Sequence, residues 1–123
     1  MLHKGDWREA KVWAKALSFA DPPIPMQIRE VKAKGELPGD EYSFLSLTDN
    51  AILTCLKRSE DGRHVVARFY EASGQTSNAK LSFFRRPRQI LKSNITEEKE
   101  EPGSLEMELR PYQIVTLKLA LPI

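Results

Sequence analysis

Two runs, Ala51–Arg58 (AILTCLKR) and His64–Glu71 (HVVARFYE), decide how this chain folds. Both are rich in β-branched, apolar and aromatic residues, and Asp61-Gly62 lies between them. Asp-Gly is the strongest short hairpin signal, because both central positions of the tight turn require positive φ. The pair therefore predicts an antiparallel hairpin.

Similar signals continue on either side. Downstream, Ser73-Gly74 marks a turn, and Ala79–Phe84 follows as a strand. Lys99–Ser104 reads as a charged loop containing Pro-Gly. The last two runs alternate: Leu105, Met107 and Leu109 point one way, and Glu106, Glu108 and Arg110 the other. After Pro111, Val115, Leu117, Leu119 and Leu121 form the next apolar face. Upstream, Tyr42–Thr48 reads as a strand and Met26–Lys32 is a further candidate, with a Gly- and Pro-containing loop at Lys34–Asp40 between them. The N-terminus has the helical period instead. Asp6 and Glu9 have the spacing of a capping box, and Trp7, Ala10, Ala14 and Leu17 form a stripe widened by Trp13, Ala16 and Ala20. Asp21-Pro22-Pro23 then stops the helix. The tryptophans are expected to pack, not to stack on a ligand. About seven short strands and a single helix indicate a mainly β protein, an antiparallel β-sandwich with one N-terminal helix. Residues 1–22 would be helix and linker, and 23–123 one compact β-sandwich domain.

Composition excludes several classes. The 123 residues include 19 basic and 17 acidic side chains, for a net charge of +2. So small an excess makes no long-range field for nucleic acid or an anionic membrane. The one cysteine, Cys55, rules out an intrachain disulfide and is expected to be a small buried hydrophobe. No stretch approaches the roughly 20 apolar residues of a membrane span. Met1–Gly5 leads into charged residues and not into a signal-peptide core. A cytoplasmic location is the expectation.

Chemistry is sparse. His3 and His64 have no second histidine, cysteine or carboxylate at metal-ligand spacing, so no zinc is expected on this chain. There is no Gly-rich phosphate loop and no nucleophile elbow. Glu60, Asp61 and Glu71 are the carboxylates available for a glycosidase acid–base pair, but Glu60 and Asp61 sit at a hairpin tip, where acidic residues make turns. Arg85, Arg86 and Arg88 are the densest basic patch, and Phe83 and Phe84 beside them point to opposite faces of a strand. A solvated strand end guarded by Pro87 is the reading of that patch. No catalytic, cofactor-binding or metal residue is assigned.

Three ordered stretches are more specific: Ala51–Gly62 (AILTCLKRSEDG), Val65–Gly74 (VVARFYEASG) and Leu105–Leu119 (LEMELRPYQIVTLKL). Within them stand Lys57, Glu60, Asp61 and Gly62; Arg68, Tyr70, Glu71 and Gly74; and Pro111, Tyr112, Ile114, Thr116 and Leu117. This order resembles the C-terminal β-domain of glycoside hydrolase family 38, the α-mannosidases. Gln113 departs from that pattern, which has glutamate there, and Phe84–Glu101 follows it only loosely. The resemblance implies a parent enzyme that hydrolyses terminal α-D-mannosides with retention. Its aspartate nucleophile and zinc would belong to an N-terminal catalytic barrel that nothing here matches. The implied role is a non-catalytic structural domain whose partners are the preceding domains of the same enzyme, meeting a mannoside only through that parent. The alternative is an autonomous carbohydrate-binding or protein-interaction module, for which Tyr42, Tyr70 and Tyr112 are the available aromatics.

Overall fold

The computed structural model describes residues 4–27 and 41–122. The chain divides into two units, Met1–Tyr42 and Ser43–Ile123, each taken on its own.

In the first unit, helix α1 runs from Val12 to Ala20, later than the start expected at Asp6. Asp6 to Lys11 form turns instead, with Ala10 N–H donating to Asp6 O at 3.0 Å and Val12 N–H to Trp7 O at 3.1 Å. Lys11, at φ 47° and ψ 48°, is left-handed and interrupts the helical path just before α1. The Asp6 carboxylate accepts from the Arg8 guanidinium at 3.1 Å, and no side chain caps the helix. Trp7 and Trp13 meet edge to face with centroids 5.7 Å apart. No residue of α1 is buried, so the apolar stripe covers no core among the described residues. The helix ends before Asp21-Pro22-Pro23, as the prolines require. Met26 and Gln27 carry no strand. The rest of the candidate strand, and the loop Lys34–Asp40, lie outside the described residues.

The second unit is the sandwich. Its strands are β1 (Leu45–Leu47), β2 (Ala51–Arg58), β3 (Val65–Glu71), β4 (Ser77–Phe83), β5 (Gln89–Ser93), β6 (Glu100–Pro102), β7 (Glu106–Leu109) and β8 (Ile114–Ala120). One sheet has the order β1-β4-β7 and the other β2-β3-β8-β5-β6, with every pairing antiparallel. Ala67, Phe69, Val115, Leu117 and Leu119 of the larger sheet join Ala79, Leu81 and Leu109 of the smaller in one buried cluster. The alternation read along β7 holds: Leu109 is buried, Met107 half-buried, and Glu106 and Glu108 exposed.

Four expectations change. The β2–β3 connection is a six-residue loop, Ser59–His64, and not a two-residue turn. Only Gly62 there has positive φ, at 72°, and Ser59 N–H closes the loop on His64 O at 2.9 Å. Lys99–Ser104 is not wholly loop, because Glu100–Pro102 pairs with Leu91–Ser93 as the short edge strand β6. Pro102 lacks a donor, and an edge is where a strand accepts proline. Cys55 is half-buried and not in the core. A bulge between Leu53 and Cys55 puts Leu53 opposite Phe69 and Cys55 opposite Arg68. Phe69 and Arg68 are consecutive and face opposite ways, so the bulge turns the thiol to the outer face. Lastly, β8 is buried on both faces: Thr116 and Lys118 are each 3% exposed, nearly as closed off as Leu117 between them.

Leu117, fully buried in the central strand, should cost about 2–5 kcal/mol when cut to alanine. Met107, half-buried on the edge strand β7, should cost less. Urea melts of the two variants check this, and equal losses would contradict the placement of β7.

Candidate functional site: a buried ionic network and a carboxylate clamp

Lys118 stands in the middle of the larger sheet, on the face away from the core. Its strand is flanked by β3 and β5. The connections that join these neighbours to β2 and β6, residues 59–64 and 94–99, and the first residue of β6 bring acceptors to its ammonium. Lys118 Nζ donates to Glu100 Oε1 at 2.5 Å, to Glu97 O at 3.4 Å and to Asp61 Oδ2 at 3.5 Å. An unpaired ammonium at this depth would be prohibitively costly, and these partners offset its desolvation. The Glu100 carboxylate, foremost, holds Lys118 above the usual lysine range against the effect of burial.

A second set of contacts surrounds Glu97. Its carboxylate pairs with Lys57 Nζ at 2.9 Å, lies 3.9 Å from Arg68 Nη2 and accepts from Glu60 N–H at 3.2 Å. Arg68 Nε donates to Thr116 Oγ1 at 3.1 Å, and its Nη2 donates to Ile95 O at 2.9 Å. Lys57 also reaches Glu60 at 2.7 Å. The Lys57 ammonium is the main cause that holds Glu97 below the usual carboxylate range. Asp61 lies well below that range, first through the Ser59 hydroxyl, at 2.5 Å, and then through Arg63 N–H, at 3.0 Å.

The opposite end of β3 carries a clamp. Glu71 is fully buried. Its Oε1 accepts from Ser73 N–H at 2.7 Å and from the Ser73 hydroxyl, and its Oε2 accepts from Gly74 N–H at 2.7 Å and Tyr112 N–H at 3.1 Å. Burial is the largest single influence and pushes the Glu71 carboxyl up. The Ser73, Tyr112 and Gly74 donors together outweigh it and leave the group below its ordinary value. One carboxylate thus ties the turn after β3 to the turn before β8. Both turns are left-handed at their key residue, with φ 73° at Gly74 and 57° at Tyr112. A Cβ at residue 74 would collide with the Tyr112 ring, so that position requires glycine twice over.

These two clusters account for most of the motif residues. Lys57, Glu60, Asp61, Arg68 and Thr116 belong to the network, and Glu71, Gly74 and Tyr112 to the clamp. The sequence shows no carboxylate at metal-ligand spacing from His64, but the fold brings two beside it. Asp61, His64 and Glu100 bring ligand atoms within 4.8 Å of one another. His64 Nδ1 is buried without a hydrogen-bond partner and lies 3.8 Å from Asp61 Oδ2. The arrangement does not fit zinc, because the Lys118 ammonium bridges the same two carboxylates and would repel a dication. His3 lies outside the described residues. Glu97, Glu100 and Lys118 were missed in the sequence. A lysine inside an apolar strand, VTLKL, was the available signal, and alternation alone assigned it to solvent. The carboxyls of Asp61, Glu71 and Glu97 are all lowered, whereas a general acid needs a raised one. Arg85, Arg86 and Arg88 are exposed on the β4–β5 connection, with Arg85 5.5 Å above the Phe84 ring.

The direction of these shifts sets an acid limit. Asp61, Glu71 and Glu97 stabilise the fold above the ordinary carboxylate range of about 4, and that stability is lost as pH falls through their lowered values. Lys57 and Lys118 are raised, so their contribution persists until pH rises into the lysine range, above about 10. The melting temperature should stay flat between about pH 6 and 9 and fall below about pH 4. Glu71→Gln, which offers an amide to converging donors, should cost on the order of 3 kcal/mol near neutrality and weaken the acid dependence. Elemental analysis of the dialysed chain should find far less than one zinc per molecule.

Comparison with known proteins agrees with this picture. Residues 50–117, more than half of the chain, match the model of the glycosyl hydrolases family 38 C-terminal β-sandwich domain. A protein of Halalkalibacterium halodurans described as "Putative mannosylglycerate hydrolase" is 31% identical over 121 residues. The alignment covers 94% of this chain and 13% of that relative's length. No solved structure matches. The motif residues, their places in the two clusters and the sandwich around them lead to one assignment: the chain belongs to the family of glycosyl hydrolases family 38 C-terminal β-sandwich domains.

Proposed function

We propose that this chain is the non-catalytic C-terminal domain of an α-mannosidase, packing against the preceding domains and stabilising them. In that reading a separate catalytic domain hydrolyses terminal α-D-mannosides with retention and holds the zinc. One observation supports it above all: the polar motif residues are committed to internal contacts. Glu71 receives four donors. Asp61, Glu97 and Glu100 are engaged by Lys57 and Lys118. Retaining hydrolysis needs two carboxyl groups about 5 Å apart across a scissile bond, one of them with a raised pKa. Asp61, Glu97 and Glu100 instead surround lysines, and the carboxyls of Asp61, Glu71 and Glu97 lie below the ordinary range.

A sugar-binding platform has less support. Tyr112 is half exposed, but its ring is held over Gly74, and Tyr70 is only half exposed within the sheet. Among the described residues, no helix is long and apolar enough to cross a membrane. A cytoplasmic location is consistent with the single free thiol of Cys55.

The chain should not hydrolyse an aryl α-mannoside, with or without added zinc. Removing the domain from a full-length enzyme that carries it should lower thermal stability and soluble yield. The specific activity of the surviving folded protein should fall far less than loss of the nucleophile would cause. Turnover by the 123-residue chain, abolished by one carboxylate substitution within it, would overturn the proposal.

A further inference from the structure

Asp61-Gly62 is the one Asp-Gly step in the chain, which has no Asn-Gly. Such a step isomerises without an enzyme. The backbone nitrogen of the glycine attacks Cγ of the aspartate, water leaves, and a five-membered succinimide forms. Water then reopens the ring at either carbonyl. One opening returns aspartate, and the other leaves isoaspartate, with the main chain rerouted through the side chain. Glycine favours the reaction because it has no side chain to obstruct its nitrogen. The Asp61 side chain is 39% exposed, so the water that reopens the ring is at hand.

The loop restrains both reacting groups. Asp61 Oδ1 accepts from the Ser59 hydroxyl at 2.5 Å and from Arg63 N–H at 3.0 Å, and Oδ2 accepts from Lys118 Nζ at 3.5 Å. Ring closure expels a carboxyl oxygen as water, so the carboxyl must first be protonated, and donors to the charged form oppose that. The same bonds fix the rotation of the side chain. The attacking nitrogen is engaged as well, since Gly62 N–H donates to Ser59 O at 2.9 Å. Ser59 thus holds one partner through its hydroxyl and the other through its carbonyl. It is itself buried, and its N–H donates to His64 O at 2.9 Å, which anchors it to the base of the loop.

We propose that Asp61-Gly62 is a latent isomerisation site, held shut by the Ser59 bonds and the buried ionic network, and that its opening is a chemical ageing route of this domain. Isoaspartate at residue 61 adds a methylene group to the main chain and moves the free carboxylate off Lys118. The ammonium keeps Glu100 but loses Asp61, so a buried charge is left with less to offset its desolvation. Each such lesion weakens the loop that had slowed it.

Ageing the purified 123-residue chain in warm neutral buffer tests this. Isoaspartate is quantified by enzymatic methylation of the isoaspartyl carboxylate and located by mass spectrometry of the peptide that spans residue 61. The folded chain should gain it at least about tenfold more slowly than a synthetic peptide of residues 57–65, because reaction awaits a local opening of the loop. Ser59→Ala removes the hydroxyl and keeps the backbone bonds of residue 59. It should age several-fold faster than wild type while circular dichroism melts show the sandwich retained. Glu108→Lys, on the exposed face of β7, should age as wild type does. Chains that carry isoaspartate should melt at a lower temperature than chains that do not. Equal rates in the folded wild type and the peptide would overturn the proposal, and so would a folded Ser59→Ala chain that ages no faster than wild type. Where Ser59→Ala does not fold, the wild-type and peptide rates decide. An unchanged melt of the isoaspartate form would overturn the link to Lys118.

Discussion

A lysine ammonium buried in the middle of a sheet has to be neutralised where it stands, and the larger sheet is arranged around that requirement. Lys118 lies on β8, the strand with a neighbour on either side, and is 3% exposed. It cannot reach water, so charge must come to it. Asp61 arrives on the β2–β3 loop, Glu97 O on the β5–β6 connection and Glu100 at the start of β6. Each of these segments has its own anchors: Ser59 and Arg63 on Asp61, Asn94 on the backbone of Glu98 and Lys99, Lys57 on Glu97. The outer face of the sheet is thereby covered by loops whose conformation follows from the charge beneath them.

Glu71 solves the complementary problem at the other end of β3. Turns with left-handed residues leave N–H groups pointing inward, and a buried carboxylate is among the few acceptors able to take several at once. Because it binds donors from Ser73, Gly74 and Tyr112, it couples the strand that enters the core to the strand that closes it. The family resemblance thus lies in residues that hold the chain together. A chain whose marked polar residues are internally satisfied suits the supporting role proposed for it.

Much of the sandwich was legible because strand signals are local. β2 was delimited at both ends by its apolar run, and the alternation of Leu105, Met107 and Leu109 placed the faces of β7. The helix was partly legible: the prolines set its end, but Lys11 in a left-handed conformation delayed its start in spite of the capping-box spacing. β5 and β6 escaped notice because each pairs with distant or very short segments and neither alternates clearly. The thiol of Cys55 was misplaced because a bulge of one residue reverses facing without altering composition.

The sequence by itself determined where the strands of the hairpin and the closing pair lie, which apolar residues of the closing pair face the core, and to which family the motifs belong. Those properties depend on periodicity and on turn residues within a few positions of one another. Only the tertiary structure decided that Lys118 is buried, that Asp61, 57 positions earlier, and Glu100, 18 positions earlier, would meet it, and that Glu71 would hold Tyr112, 41 positions later. The physical reason is strand order. Alternation tells which way a side chain points, but whether that side is solvent or interior depends on which strands flank it and which loops cross above.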